Sequence, residues 1–352
     1  MRFKWLLYIL TAIIIFLVAN ILFVAGSFKK IEPHLRGDLL QAYEGIPGPE
    51  DMDLDETTGS IFISSCDRWR LQQGLDAPTD GIYLLQPDSG QPPRKLTSTY
   101  AGAFHPHGIS FIRMHDTAYL YVVNHSPSGD HVEVFDLRND TLYHLRTIAD
   151  EMMNTPNDLV AVGRDRFYVT NDHGYKQGVM RMLEEYLQLP FSSVLYYNGA
   201  GFAKVAGRLR YANGVNVSNN GTRLYVTTTI GRNLLTYHRD TATGQLTLAG
   251  RLPLKTGLDN IDVDADGDLW IGAHPKLLAF VGHAKDPAKL SPSQVLRLSP
   301  APGDTYTVAE MMMDKGDNLS GASVALRYKD TMYVGAVFQP RVLRVALKRG
   351  WE

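Results

Sequence analysis

From Asn157 to Asn171 the chain reads NDLVAVGRDRFYVTN, a unit that the rest of the sequence repeats. A polar pair, Asn157-Asp158, opens an apolar run. Phe167-Tyr168-Val169 follows, an apolar triplet with an aromatic centre, and such residues fit a pleated, half-buried strand. The triplet returns as Ile61-Phe62-Ile63, Leu120-Tyr121-Val122, Leu224-Tyr225-Val226, Leu269-Trp270-Ile271 and Met332-Tyr333-Val334, with central positions 59, 47, 57, 45 and 63 residues apart. Thr58-Gly59, Asn220-Gly221 and Asp266-Gly267 stand just before three of them as hairpin turns.

The leading element also recurs, 10–13 residues upstream of each triplet: Glu50-Asp51-Met52, His107-Gly108-Ile109, Asn213-Gly214-Val215, Asp259-Asn260-Ile261 and Ser320-Gly321-Ala322 join Asn157-Asp158-Leu159. Further strands, such as those containing His131–Phe135 and Asn233–Tyr237, follow several triplets. A period of about 50 residues with several short strands in each unit is the pattern of a propeller blade. The expected fold is all-β: a six-bladed β-propeller with four-stranded blades over roughly 45–347. A large β-sandwich is the alternative, and two linked elements recurring in register argue against it. The clearest helical stripe is Val179, Met182, Leu183, Tyr186 and Leu187 within 179–187. Such a stripe usually packs on the body of its domain; a lid or a membrane contact is the other reading.

Composition sets outer limits. Among 352 residues, 35 Lys+Arg balance 37 Asp+Glu, so no long-range field attracts a polyanion and nucleic-acid binding is not expected. With 44% hydrophobic residues the chain is an ordinary folded globule. The single cysteine, Cys66, excludes an intrachain disulfide and the cysteine-based zinc sites.

Trp5 to Gly26 (WLLYILTAIIIFLVANILFVAG) carries no charge, and at about 1.5 Å per residue a helix of this length spans the hydrocarbon core of a bilayer. A secretory signal has an apolar core of only about 7–15 residues, although Val24-Ala25-Gly26 offers small residues for cleavage. The expectation is one uncleaved N-terminal transmembrane signal-anchor in residues 1–30 and a lumenal or extracytoplasmic propeller domain in 31–352, a secreted protein being the alternative. The acceptor triplets at Asn124, Asn139, Asn216, Asn220 and Asn318 fit that side of a membrane.

In a propeller the first strand of each blade lines a central channel, so its leading residues converge. The set is Glu50, Asp51, His107, Asn157, Asp158, Asn213, Asp259 and Asn260, oxygen-rich and free of sulfur, as a hard cation such as calcium requires. Carboxylates gathered without a cation would repel one another and have raised pKa values. The pairs Glu50-Asp51 and Asn157-Asp158 can serve two depths, hence two ions; local turn and bulge hydrogen bonding is the plainer alternative. Asp262–Gly267 imitates the start of an EF-hand loop, but its twelfth position is Ala273 and no helical pattern flanks it. No H-E-x-x-H, G-x-S-x-G or P-loop string occurs.

The strings PEDMD (49–53), PHGIS (106–110), VVNH (122–125), NDLVAVG (157–163), FYVTNDHG (167–174), YANGVNVS (211–218), LDNIDVD (258–264) and DLWIGAHP (268–275) resemble the serum paraoxonase/arylesterase family over about 300 residues. The resemblance implies a calcium-dependent hydrolase of lactones and aryl esters. It implies that Glu50, Asn157, Asn213, Asp259 and Asn260 ligate a catalytic calcium, and that Asp51, Asp158 and the backbone carbonyl of Ile109 ligate a structural one. It implies a catalytic dyad of His107 and His125, with Asp172, His173 and His274 around it. The small-molecule partner is then a lactone or ester, and the membrane is met through the N-terminal helix. A gluconolactonase-like sugar-lactone hydrolase and a non-catalytic, calcium-stabilised binding propeller are the alternatives. Serum-type members tie their first and last blades with a disulfide. This chain cannot, so closure is expected from pairing of its N-terminal segment with the C-terminal repeat, without the roughly 2–4 kcal/mol a disulfide adds. Residues 66–80, expected at the rim of the site, do not follow the family pattern.

Overall fold

Each aromatic-centred triplet is the second strand of a blade, and the central residues Phe62, Tyr121, Tyr168, Trp270 and Tyr333 are fully buried. The computed structural model describes residues 2–303, 305–348 and 350; the outer limits of the two expected segments, residues 1 and 352, lie outside them. Blade 1 comprises Pro49–Asp55, Ser60–Ser65, Gly81–Leu85 and Arg94–Lys95, and blade 2 Pro106–Met114, Thr117–Ser126, Gly129–Arg138 and Thr141–Ile148. Blade 3 comprises Pro156–Gly163, Arg166–Asn171, Ser192–Tyr197 and Phe202–Leu209, and blade 4 Ala212–Val217, Arg223–Thr228, Asn233–Arg239 and Leu246–Pro253. Blade 5 comprises Gly257–Val263, Leu269–His274, Ser293–Ala301 and Thr305–Asp314, with His34–Leu35 added at its edge. Within each blade the strands run antiparallel from the channel outward. The first strands touch one another in a closed ring.

Blade 6 takes only three strands from the C-terminal repeat, Ala322–Tyr328, Thr331–Ala336 and Arg341–Leu347; Gly37–Glu44 supplies the fourth, from Gly37 opposite Leu347 to Glu44 opposite Arg341. Closure by strand pairing is therefore as expected. Six apolar clusters fill the gaps between adjacent blades; one joins Phe62 and Ile82 to Leu120 and Phe135, another Trp270 and Met312 to Met332 and Leu343. At about 1.5–3 kcal/mol for each large side chain buried, these gaps hold the ring together.

The first helix runs Arg2–Val24, and its Phe3–Val24 segment has mean hydropathy 2.8 with none of its apolar window buried. Its end touches the loops that follow the second strands of blades 3, 4 and 5. Asn20 donates to Gln188 (3.3 Å), Arg232 to the Phe23 carbonyl (3.3 Å) and the Leu277 amide to the Ala25 carbonyl (2.9 Å).

The expected helix forms at Gly178–Leu187 but turns its polar side inward. Glu184 is buried and accepts the Gly174 amide at both oxygens (3.0 Å each), while Val179, Met182, Tyr186 and Leu187 are exposed. Packing of the stripe on the domain is thus not what occurs. Of the five acceptor triplets, Asn124 is unavailable for modification in the fold: it is buried and its Nδ2 donates to Ala103 and Glu133. Asn216 and Asn318 also have engaged amides, and Asn139 and Asn220 stand exposed at turns. Asp262–Gly267 is a strand end and hairpin turn, not a calcium loop.

Candidate active site

All six innermost strands break register with their neighbour near their start: between Pro49 and Asp51, Pro106 and Ile109, Pro156 and Leu159, Ala212 and Val215, Leu258 and Ile261, and Ala322 and Val324. A bulge places extra residues against the partner strand and re-aims their side chains. Those residues are Glu50, His107-Gly108, Asn157-Asp158, Asn213-Gly214, Asp259-Asn260 and Ser323. Five blades thus bring the expected polar residues to one level of the channel. Blade 6 corrects the sequence alignment: its equivalent is Ser323, not Ser320-Gly321, because Gly321 (φ +70°) is still in the turn before the strand. Two bulges need glycine. A Cβ on Gly108 would lie 2.4 Å from Asp158 Cα, and one on Gly214 2.8 Å from Asn260 Cα.

At the first level four oxygens lack a hydrogen bond. Glu50 Oε2, Asn157 Oδ1, Asn213 Oδ1 and Asn260 Oδ1 are buried without a hydrogen-bond partner, from four different blades. The amide nitrogens face the other way: Asn213 Nδ2 donates to Thr229 Oγ1 (3.0 Å), and Asn260 Nδ2 to the Glu50 carbonyl and Oε1 (2.9 Å each). Ser323 Oγ donates to the same Glu50 carbonyl (2.6 Å), so blade 6 holds the Glu50 backbone in place. Burial opposes ionisation of Glu50, yet His107, Arg68 and the Asn260 amide hold its pKa down at about 2. Burial raises the Asp259 pKa despite a 2.7 Å contact between its Oδ2 and His274 Nε2.

At the second level Asp51 and Asp158 each accept a backbone amide from the next blade, Ile109 N to Asp51 Oδ2 and Val215 N to Asp158 Oδ2, both 2.7 Å. Burial, then repulsion from Asp158 and Glu50, pushes the Asp51 pKa well up; burial, with repulsion from Glu50 and Asp53, does the same to Asp158. Below them Asp53 accepts Phe111 N (2.6 Å) and is pushed up to about 7, chiefly by burial.

The two histidines meet. His107 Nδ1 lies 2.9 Å from His125 Nε2, His125 Nδ1 lies 2.8 Å from Asp130 Oδ1, and Lys176 Nζ donates to Asp130 Oδ2 (2.6 Å). His107 Nε2 faces Glu50 Oε1 at 3.5 Å. The Asp130 carboxylate makes His125 Nδ1 the donor, so in a neutral pair His125 Nε2 accepts from His107 Nδ1–H, and the remaining His107 nitrogen, Nε2, is the one that faces Glu50. Burial lowers the His125 pKa, against the pull of Asp130.

A family model described as Arylesterase matches residues 75–345. The chain is 35% identical over 300 residues to Serum paraoxonase/arylesterase 2 of Gallus gallus, covering 83% of this chain and 84% of the relative. It belongs to the paraoxonase/arylesterase family. Serum paraoxonase/arylesterase 1 of Homo sapiens is 33% identical over 302 residues, with the same coverage. As an arylesterase-family member the protein is an esterase/lactonase enzyme. A solved gluconolactonase of Xanthomonas campestris superposes with a TM-score of 0.53 at 16% identity, over 91% of this chain and 96% of that one, a likeness of fold.

The remaining expected residues sit around this arylesterase-family centre. His173 Nδ1 is 2.7 Å from Asp172 Oδ1, which keeps the Asp172 pKa low against its burial, and the His173 ring meets Tyr211 edge-on at 4.7 Å. His274 stacks on Phe280 at 3.9 Å. Sequence reasoning missed Asp130, Thr229 and Arg68. Arg68 lies in the irregular 66–80 segment and places Nη2 3.7 Å from Glu50 Oε2. Trp69 beside it stacks on Phe338 at 5.3 Å, an aromatic wall at the rim. Asp130 had a faint signal, since it opens the strand Gly129–Arg138 directly opposite His125.

Proposed function

We propose that the protein is a calcium-dependent hydrolase of lactones and aryl esters, with residues 1–30 as a single-pass membrane anchor and 31–352 as an extracytoplasmic hydrolase unit. The observation that carries the reading is the set of four buried oxygens on four blades that lack a hydrogen bond, each such oxygen costing about 1–3 kcal/mol unless something engages it. Two of the amides already spend their nitrogens on the protein and turn only oxygen to the shared centre, which suits a hard cation and not an anion. Glu50, Asn157, Asn213, Asp259 and Asn260 would hold one calcium ion; Asp51, Asp158 and the Ile109 carbonyl would hold a second, which would relieve the repulsion between two facing carboxylates. The first ion, when bound, supplies Lewis-acid polarisation of the substrate carbonyl.

The chain's own groups do the rest. His107 Nε2 takes a proton from the attacking water, while its Nδ1–H stays on His125. Asp130 keeps His125 in the tautomer that accepts, and Glu50 balances the imidazolium that forms on His107. The proton then passes to the departing alkoxide or phenolate. Trp69 and Phe338 give an apolar face to an aryl or acyl group. The exposed Val179, Met182, Tyr186 and Leu187 fit contact with the membrane that the anchor enters, and Asn139 and Asn220 are the acceptors open to glycosylation.

The test is hydrolysis of a δ-lactone and of phenyl acetate by the full-length chain in detergent, with and without a calcium chelator. Both activities are expected to vanish on chelation and return with calcium, and to fall steeply in Asn213→Ala and Glu50→Gln. Turnover untouched by chelation, or by Glu50→Gln, would overturn the ligand assignment. Absence of turnover of any lactone or ester in calcium would favour a binding propeller.

A further inference from the structure

At the foot of the rim loop three different donors meet away from the channel oxygens. Cys66 follows the second strand of blade 1, Asp80 precedes the third, and His105 precedes the first strand of blade 2. Cys66 Sγ lies 3.3 Å from Asp80 Oδ2, His105 Nδ1 lies 2.7 Å from the same oxygen, and the three atoms are all within 4.8 Å of one another. We propose that Cys66 Sγ, Asp80 Oδ2 and His105 Nδ1 form a zinc site that clamps the rim loop 66–80 to the strand bearing His107.

Several observations converge on this. The Asp80 side chain is only 1% exposed, and its close partners are a thiol, an imidazole and the Asp67 amide (2.7 Å to Oδ1); Lys95 acts on it from further off, and no Lys or Arg nitrogen among the described residues lies within 4 Å of its oxygens. A buried carboxylate without a cation is costly, and a metal ion is one of the few remedies. One thiolate, one carboxylate and a dication sum to zero charge. The thiolate and imidazole select zinc over calcium. The single cysteine excludes only zinc sites of two or more thiolates, and not, as composition alone suggests, a mixed set that needs one. Tetrahedral zinc with bonds of about 2.0–2.3 Å sets its ligands roughly 3.3–3.7 Å apart. The Sγ–Oδ2 separation already fits, and the Nδ1–Oδ2 contact must widen by roughly half an ångström. The Asp67 amide on the second Asp80 oxygen is the outer support that ligating carboxylates normally have. The His105 side chain is 19% exposed, which admits the ion and leaves water the fourth corner.

Binding is balanced in protons. The Cys66 thiol, which burial pushes up to about 12 and which donates to Asp80, gives its proton to solvent as the zinc–sulfur bond forms, and the His105 proton moves from Nδ1 to Nε2. The clamp reaches the dyad through backbone, because the His125 amide donates to the His105 carbonyl (3.1 Å). It ties Cys66 and Asp80, the two ends of the rim, to that same residue.

The test uses the full-length chain in detergent with saturating calcium, cleared of transition metals and titrated with Zn2+ and then Co2+. One equivalent of zinc is expected to bind without displacement by calcium. X-ray absorption at the zinc edge is expected to show one sulfur at about 2.3 Å, and cobalt a thiolate charge-transfer band. His105→Gln and Asp80→Asn are expected to weaken binding by more than about 100-fold, and Cys66→Ser to abolish the cobalt band. Zinc should slow tryptic cleavage after Arg70 in the wild type and not in His105→Gln. A shell without sulfur, or zinc displaced by calcium, overturns the proposal. Both are read on the wild-type chain, so neither depends on how a variant folds or on the calcium assignment.

Discussion

Replacing Asp130 by alanine removes the acceptor that sits 2.8 Å from His125 Nδ1 and leaves that imidazole free to choose its tautomer. A hydrogen bond to a charged group contributes about 1.5–3 kcal/mol, which at about 1.4 kcal/mol per tenfold corresponds to roughly 10–150-fold in rate. Asp130 is half-buried and shares its charge with Lys176, so the lower part of that range applies. The expected loss in kcat is about 10–30-fold, with KM nearly unchanged because Asp130 does not face the substrate. Asp130→Asn keeps a neutral acceptor and should lose only about fivefold. Lys176→Met breaks an exposed pair and should stay within about twofold. The assay is the initial rate of phenolate release from phenyl acetate at saturating calcium, with melting temperature as the control for metal binding. If Asp130→Ala ran within twofold of wild type, the relay from Asp130 through His125 to His107 would be wrong.

Other consequences are open to simpler measurements. Calcium at 100 times its Kd should stabilise the fold by about 2.7 kcal/mol per ion; calorimetry with and without chelator should show the melting temperature falling by several degrees on chelation, and a chelator-insensitive melt would contradict the proposed sites. Gly108→Ala forces a Cβ to within 2.4 Å of Asp158 Cα, a backbone clash that side-chain motion cannot relieve; it should destabilise by about 3 kcal/mol or more, against little change for Gly250→Ala, whose Cβ would meet open space. Burial raises the Glu133 pKa, but hydrogen bonds from Thr147, His144, Asn124 and Tyr100 more than offset this and hold it low. A lowered folded-state pKa gives stability that is complete above the unfolded value near 4.3 and is lost as pH falls through the folded one. Thermal melts from pH 6 to pH 3 should therefore fall more steeply for wild type than for Glu133→Gln, and parallel curves would remove Glu133 from the acid response.

The blades were legible because a second strand buried on both faces must be apolar, and the same demand recurs in each blade. The polar residues of the channel were legible for the opposite reason: Glu50, Asn157, Asn213 and Asp259 interrupt strands where an apolar residue would pack better. Where that contradiction is absent, as at Ser323, the alignment slipped by two residues. Asp130 and Thr229 look like ordinary turn and strand-end residues until the fold places them against His125 and Asn213. The helix at Gly178–Leu187 had a correct period but an unreadable direction, since what settles it is a single buried carboxylate, Glu184, held by the Gly174 amide. Cys66, Asp80 and His105 carry no common spacing at all, and only the joining of two blades assembles them.

The borrowed strand in blade 6 reverses the order in which the molecule can be finished. Gly37–Glu44 is translated before the first strand of any blade, yet it has no seat until Arg341–Leu347, the third strand of blade 6, lies beside it. The ring must therefore stay ajar until that strand has been made, and the seam between the two shuts last.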